Sequence, residues 1–144
     1  YFNLTSKWDK SERYDFVTCF ETLEHVGDLD LALENLLRSI GSNGSLIISL
    51  PIEFGIVGFL KFIVKITLGY SMSELRISKF KYLKLLLTGQ IGKARADLNR
   101  DHFRTHFGFD ARTVADILMQ YDNLDISETN YVTTKFFVIK GTVV

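Results

Sequence analysis

The hydrophobic positions in the first third of the chain predict a strand, a helix and a second strand. Tyr14 to Phe20 and Ser45 to Leu50 are apolar runs rich in β-forming residues, which are typical of buried parallel strands. Between the two runs, leucines and an isoleucine recur at helical spacing, with Asp28 at the expected N-cap and Gly41 just past the expected end. A strand–helix–strand order favours a right-handed parallel crossover.

The pattern after Pro51 predicts a helical insert followed by a helix and two strands. The insert, residues 54–100, contains apolar stretches at Phe54 to Tyr70 and Leu75 to Leu87. Asp110 then precedes an amphipathic helix. The segments 124–129 and 135–140 are strand-like and closely spaced, so we expect an antiparallel pair. The whole of residues 1–144 is read as one α/β unit.

Composition narrows the class of protein. The 144 residues are 47% hydrophobic and 24% charged, which suits a compact domain with a real core. The formal net charge is zero, which argues against nucleic acid as a partner. The single cysteine, Cys19, excludes an intrachain disulfide and favours a reducing, cytoplasmic location. The chain opens at Tyr1 in what reads as the middle of a domain, so we expect an upstream segment.

One stretch carries a family resemblance. Tyr14-Asp15 opens the first strand, Glu21-Thr22-Leu23-Glu24-His25-Val26 follows it, Asn43-Gly44 forms a turn, and Pro51 ends the second strand. This order resembles the centre of class I S-adenosylmethionine (SAM)-dependent methyltransferases. The resemblance implies a Rossmann-like methyltransferase sheet, present here from about its fourth strand onward, with parallel strands and a reversed C-terminal hairpin. It also implies SAM as the cofactor.

The resemblance assigns candidate cofactor contacts. Ligands of open α/β sheets sit beyond the carboxyl ends of the strands, at the point where strand order reverses. In the family, the end of this strand borders the methionine part of SAM, so Cys19, Phe20 and Glu21 are the candidate contacts. Asn3 occupies the place of a family residue that contacts the adenine amino group. The alternatives are a solvated strand-end carboxylate for Glu21 and turn chemistry for Asn3.

Glu24 and His25 are the candidate catalytic residues. A histidine near a developing charge can act as a general base at neutral pH. Methyl transfer from an activated donor needs mainly positioning, however. We therefore favour a role for Glu24 and His25 in lining the pocket over a role in proton transfer.

The family's Gly-rich turn and the acidic residue that holds the ribose are absent from these residues. We therefore expect a chain that lacks the first strands of the sheet, binds SAM negligibly by itself and exposes a sheet edge. Either the chain is a fragment of a longer protein or a second copy covers the edge as a homodimer. The alternative function is a non-catalytic methyltransferase-like domain that serves in assembly.

The insert is both apolar and cationic. Residues 61–100 contain nine Lys or Arg and two Asp or Glu, a local charge of +7. Its first apolar stretch is too short to span a membrane. It could lie on a membrane surface with Lys61 and Lys65 on the wet face, or it could form a lid over the acceptor, which we favour. Such a lid suits a small-molecule, lipid-linked or glycan-linked acceptor with an apolar part and an anionic part.

A polar cluster follows the insert. His102, Arg104 and Phe107 partly resemble a family motif just before the next helix, which implies contact with the substrate; a polar hinge is the alternative. His102 and His106 have the i, i+4 spacing of a helical metal site. No third ligand is evident nearby in sequence, so no metal site is predicted.

Overall fold

The computed structural model describes residues 4–6 and 11–141. Its sheet has the predicted mixture of parallel and antiparallel strands. Its four described strands are β1 (Tyr14–Phe20), β2 (Ile40–Pro51), β3 (Asp125–Tyr131) and β4 (Thr134–Lys140). The strand order is β1-β2-β4-β3, with β1 parallel to β2 and with β4 antiparallel to both of its neighbours. The predicted partial Rossmann-like sheet, with parallel strands and a reversed C-terminal hairpin, is confirmed.

The helices lie where the pattern of apolar residues places them. Within the described ranges, the α-helices are α1 (Leu29–Ser39), α2 (Gly55–Thr67), α3 (Lys79–Leu87) and α4 (Ala111–Leu118). Short 3-10 helices lie at Leu23–His25, Ser73–Leu75 and Ile91–Ala94. Asp28 and Asp110 are N-caps as predicted, since their carboxylates accept hydrogen bonds from the backbone N–H of Leu31 (3.0 Å) and Arg112 (3.1 Å).

The second strand begins earlier than the sequence predicts. Tyr14 pairs with Ile40 and Phe16 pairs with Ser45, so β2 carries a bulge opposite β1. The predicted Asn43-Gly44 turn lies inside this bulge. A Cβ on Gly44 would stand 2.7 Å from the carbonyl oxygen of Tyr14, which explains the glycine.

The described residues pack into two apolar cores. The larger core places α1 and α4 against the sheet around Leu33, Leu46 and Phe137. The smaller core belongs to the insert and contains Phe62, Met72, Leu75, Tyr82, Leu86, Ile91, Ala94 and Phe107. None of the helices in residues 11–141 is long and apolar enough to cross a bilayer.

One edge of the sheet is open. β1 is an edge strand of the described sheet, and Tyr14, Phe16 and Phe20 are 47%, 61% and 53% exposed. Parallel strands are normally covered on both faces, so this exposure of apolar side chains is unusual for a parallel strand.

A partly buried guanidinium connects the insert to the 3-10 helix after β1 and to the loop 105–107. Arg95 donates from Nε to the Phe107 carbonyl (2.7 Å), from Nη1 to the Glu24 carbonyl (2.7 Å) and from Nη2 to the Thr105 carbonyl. Its guanidinium also stacks over the Phe103 ring at 4.1 Å. Three segments distant in sequence are thereby held by one side chain.

We predict that Arg95→Met lowers the free energy of unfolding by roughly 2–4 kcal/mol, because three carbonyl groups lose charge-assisted donors. Arg95→Lys should rescue little, since an ammonium cannot reproduce the planar fork. Urea unfolding of the full-length protein measures the free energy of unfolding of both variants. Lys93→Met, at an exposed position of the same 3-10 helix, is the matched control and should change stability by less than about 0.5 kcal/mol. Equal stabilities of Arg95→Met and Lys93→Met would contradict the role given to Arg95.

Candidate functional site

The chain leaves β1 through a strained residue at the strand's carboxyl end. Glu21 has a φ of 46°, and its N–H donates to the Ser49 carbonyl at 3.2 Å. The side chains of Phe20 and Glu21 are open to solvent. Cys19 is buried, and burial raises the pKa of its thiol to about 11, so Cys19 can offer a ligand only its backbone. Asn3, the fourth candidate cofactor contact, lies outside the described residues.

Glu24 is the most unusual side chain of the site. It is 0% exposed, and neither carboxylate oxygen has a hydrogen-bond partner among the described residues. Burial raises its pKa to about 7, and the neighbouring Glu21 carboxylate adds to the shift. A buried, unpaired carboxyl is costly, and such groups concentrate at functional sites.

His25 is held in one orientation by the loop after the insert. Its Nδ1 lies 2.8 Å from the Phe103 carbonyl oxygen, and the Phe103 N–H donates to the His25 carbonyl at 2.8 Å. Because a carbonyl only accepts, Nδ1 is the donor, and the neutral form of this ring has its lone pair on Nε2. The adjacent Gly27 permits this close approach, since a Cβ there would stand 1.6 Å from the Arg100 carbonyl oxygen.

His106 joins Glu24 and His25, although sequence reasoning assigned it no role at the site. Its Nε2 lies 3.7 Å from Glu24 Oε1, and its ring centroid lies 5.0 Å from that of His25. Burial lowers the pKa of His106 to about 4, helped by the positive charge of Lys65, so the imidazole is neutral. One potential ligand atom from each of the three residues lies within 4.8 Å of the others, a spacing that could hold a metal ion.

A cavity of about 600 Å³ opens beside this cluster, between α2 and the loop 104–107. Its lining combines apolar and charged side chains: Glu53, Leu60, Lys61, Val64, Lys65, Leu68, Tyr70, Arg104, Thr105, His106 and Phe107. Phe107 is buried at its base, and Arg104 is exposed at its rim. Among the described residues, the Arg104 guanidinium has no ion-pair partner.

The two lysines of α2 point inward. Lys61 and Lys65 reach the buried carboxylate of Glu53 at 3.3 and 2.7 Å. Both ammonium groups are ion-paired to a buried carboxylate and stay partly exposed, at 24% and 20% of their side-chain surface, so contact of this helix with a membrane surface stays a prediction. Sequence reasoning missed Glu53; its position just past Pro51, at the carboxyl end of β2, was the available signal.

The predicted substrate residues are divided between two cavities. Arg104 and Phe107 line the cavity of about 600 Å³, whereas His102 lines a smaller one of about 440 Å³ together with His25 and Thr22. The main chain at His102 bridges to Val26, and the His102 ring lies 5.9 Å from that of His25. His25 and His106 thus stand between the two cavities.

The Glu24 carboxyl generates a pH prediction for metal-free buffer. Its folded pKa of about 7 exceeds the ordinary 4.5, so its contribution to stability is fully present below about pH 4.5 and is lost as the pH rises through 7. Glu24→Gln should therefore raise the free energy of unfolding at pH 8, by up to about 3 kcal/mol, and leave it nearly unchanged at pH 4.5. Glu34→Gln, on the outer face of α1, is the control. Equal destabilisation by Glu24→Gln at both pH values would contradict the prediction.

Comparison with known protein families gives one match to this chain. A family model described as "Methyltransferase domain" matches residues 2–122. No curated protein sequence matches the chain significantly.

Among solved structures, the citrinin polyketide synthase CMeT domain matches with a TM-score of 0.51 and 10% sequence identity. The match covers 98% of this chain and 31% of that chain, so the chain spans about a third of the neighbour's length. This likeness concerns the fold alone. The family model covers most of the chain, and the chain therefore belongs to the methyltransferase domain family.

Proposed function

We propose that the full-length protein transfers a methyl group from SAM to an acceptor with an apolar part and an anionic part. The acceptor is a small molecule or is linked to a lipid or glycan. The observation that carries the proposal is the cavity between α2 and the loop 104–107. It combines apolar walls with the guanidinium of Arg104, which has no ion-pair partner within residues 4–6 and 11–141. A cationic group above apolar walls suits an amphipathic anion.

The residues at the tip of β1 fit the methionine part of SAM. When bound, SAM supplies an activated methyl group. Glu21 is exposed at the carboxyl end of a parallel strand, where its carboxylate can accept hydrogen bonds from an ammonium group. Phe20 offers an exposed ring beside it, and Cys19 offers its backbone.

Glu24 and His25 line the place where donor and acceptor meet. His25 presents Nε2 toward Glu24 Oε1 at 3.9 Å. In this proposal the two residues shape the pocket and exclude water from it. The rate of methyl transfer then depends more on the positioning of donor and acceptor than on proton transfer.

The open edge of β1 needs a covering structure in the proposed enzyme. We infer that further strands of the same domain cover Tyr14, Phe16 and Phe20, and that the glycine-rich cofactor turn lies on them. A second copy of the chain at this edge is the alternative. The single cysteine favours the cytoplasm as the setting.

Cofactor binding tests the proposal. Calorimetry should show SAM binding to the full-length protein with a micromolar or tighter Kd, about −8 kcal/mol or better, and negligible binding to residues 1–144 alone. Glu21→Gln should weaken binding about tenfold through loss of one charged hydrogen bond, whereas the control Glu34→Gln should not. A full-length protein that binds no SAM would refute methyl transfer and favour an assembly domain.

The acceptor class has its own test. Decyl phosphate, below its critical micelle concentration, should bind the full-length protein at least about tenfold tighter than decanol, because only the phosphate pairs with Arg104. Arg104→Gln should abolish that preference, and the control Arg76→Gln, at an exposed position of the same insert, should keep it. Equal affinities for the phosphate and the alcohol in the unaltered protein would contradict the anionic acceptor.

A further inference from the structure

The spacing of Glu24, His25 and His106 is close to that of a metal centre. Glu24 Oε1 lies 3.9 Å from His25 Nε2 and 3.7 Å from His106 Nε2. Zinc binds nitrogen and oxygen ligands at about 2.0–2.1 Å in tetrahedral geometry, which separates the ligand atoms by about 3.4 Å. Each Glu24–histidine distance would have to shorten by about half an ångström, and all three ligand atoms lie within 4.8 Å of one another.

The orientation of His25 is the one that metal ligands adopt. A histidine that binds a metal through one ring nitrogen usually donates from the other to a carbonyl or carboxylate. His25 donates from Nδ1 to the Phe103 carbonyl at 2.8 Å and leaves Nε2 free toward Glu24. The ring is therefore already in the tautomer and orientation that coordination requires.

Glu24 supplies the second, independent observation. Its carboxylate is completely buried, is directed at both imidazoles, and has no hydrogen-bond partner among the described residues. The nearby Arg95 donates to the Glu24 carbonyl oxygen, with no hydrogen bond to its carboxylate. A divalent cation would satisfy both the charge and the lone pairs that the fold leaves unpaired.

The site would keep open coordination positions. His106 lines the cavity of about 600 Å³ and His25 the cavity of about 440 Å³, while Glu24 closes the site from the protein side. Three protein ligands with a side open to a cavity are typical of catalytic rather than structural zinc sites.

We propose that Glu24, His25 and His106 form a binding site for a divalent first-row transition metal ion, with its open positions turned toward the cavities. The two imidazoles and one carboxylate suit Zn²⁺, Fe²⁺ or Co²⁺ better than Mg²⁺ or Ca²⁺, which prefer all-oxygen ligands. Coordination of an acceptor oxygen at the open positions rests on the proposed function; metal binding itself does not.

Zinc titration of the EDTA-treated, dialysed full-length protein tests the site, with a chromophoric chelator as competitor. We expect one high-affinity Zn²⁺ per chain and a rise in melting temperature on binding. Glu24→Gln and His106→Ala should each weaken Zn²⁺ binding at least about 100-fold, whereas His102→Ala, which removes the neighbouring imidazole outside the cluster, should stay within about threefold. Co²⁺ should give a visible absorption band that Glu24→Gln abolishes.

Circular dichroism of each variant separates loss of the site from loss of the fold. Equal Zn²⁺ affinity in the unaltered protein and in folded Glu24→Gln would overturn the proposal, as would a 100-fold loss in His102→Ala. Zinc binding without SAM binding would leave the metal site standing and refute methyl transfer. SAM binding without zinc binding would refute the metal site and leave methyl transfer standing.

Discussion

The site depends on the three hydrogen bonds that Arg95 donates to main-chain carbonyls. They connect the insert, the loop that carries His106 and the 3-10 helix that carries Glu24, so these segments are held as one unit. Hydrogen bonds from a charged donor in a partly buried place are the stronger kind. Because Arg95 satisfies the Glu24 carbonyl and makes no bond to its carboxylate, the main chain is fixed while the side chain is left to face the histidines.

That arrangement sets up an electrostatic tension. A carboxyl at 0% exposure with no hydrogen-bond partner among the described residues destabilises the fold at neutral pH. The two imidazoles beside it are partly exposed to solvent. Folds retain such groups where a ligand relieves the cost. In the proposed function, the cationic, apolar cavity next to the cluster holds the acceptor, and the exposed end of β1 lies against the donor. Site and strain therefore lie at the same carboxyl edge of the sheet.

Local sequence patterns sufficed for the strands, the helices and the caps at Asp28 and Asp110, because each depends on neighbours within a turn or a strand. The reversed C-terminal hairpin of the sheet followed from the family resemblance. Contacts across long sequence distances were beyond such patterns. The bulge in β2 depends on Tyr14, and the inward lysines depend on the burial of Glu53. The ligand partners of His106 are not visible in its local sequence, because Glu24 and His25 lie about 80 positions earlier. Nothing in the local sequence distinguishes Arg95 from the other cations of the insert.

An experimental structure of the full-length protein with S-adenosylhomocysteine tests the proposed site most directly. We expect the homocysteine end of the ligand to lie beyond the carboxyl end of β1, within hydrogen-bonding reach of Glu21, with further parallel strands beside Tyr14 and Phe16. A ligand bound elsewhere, or a β1 tip covered by packed side chains, would contradict it.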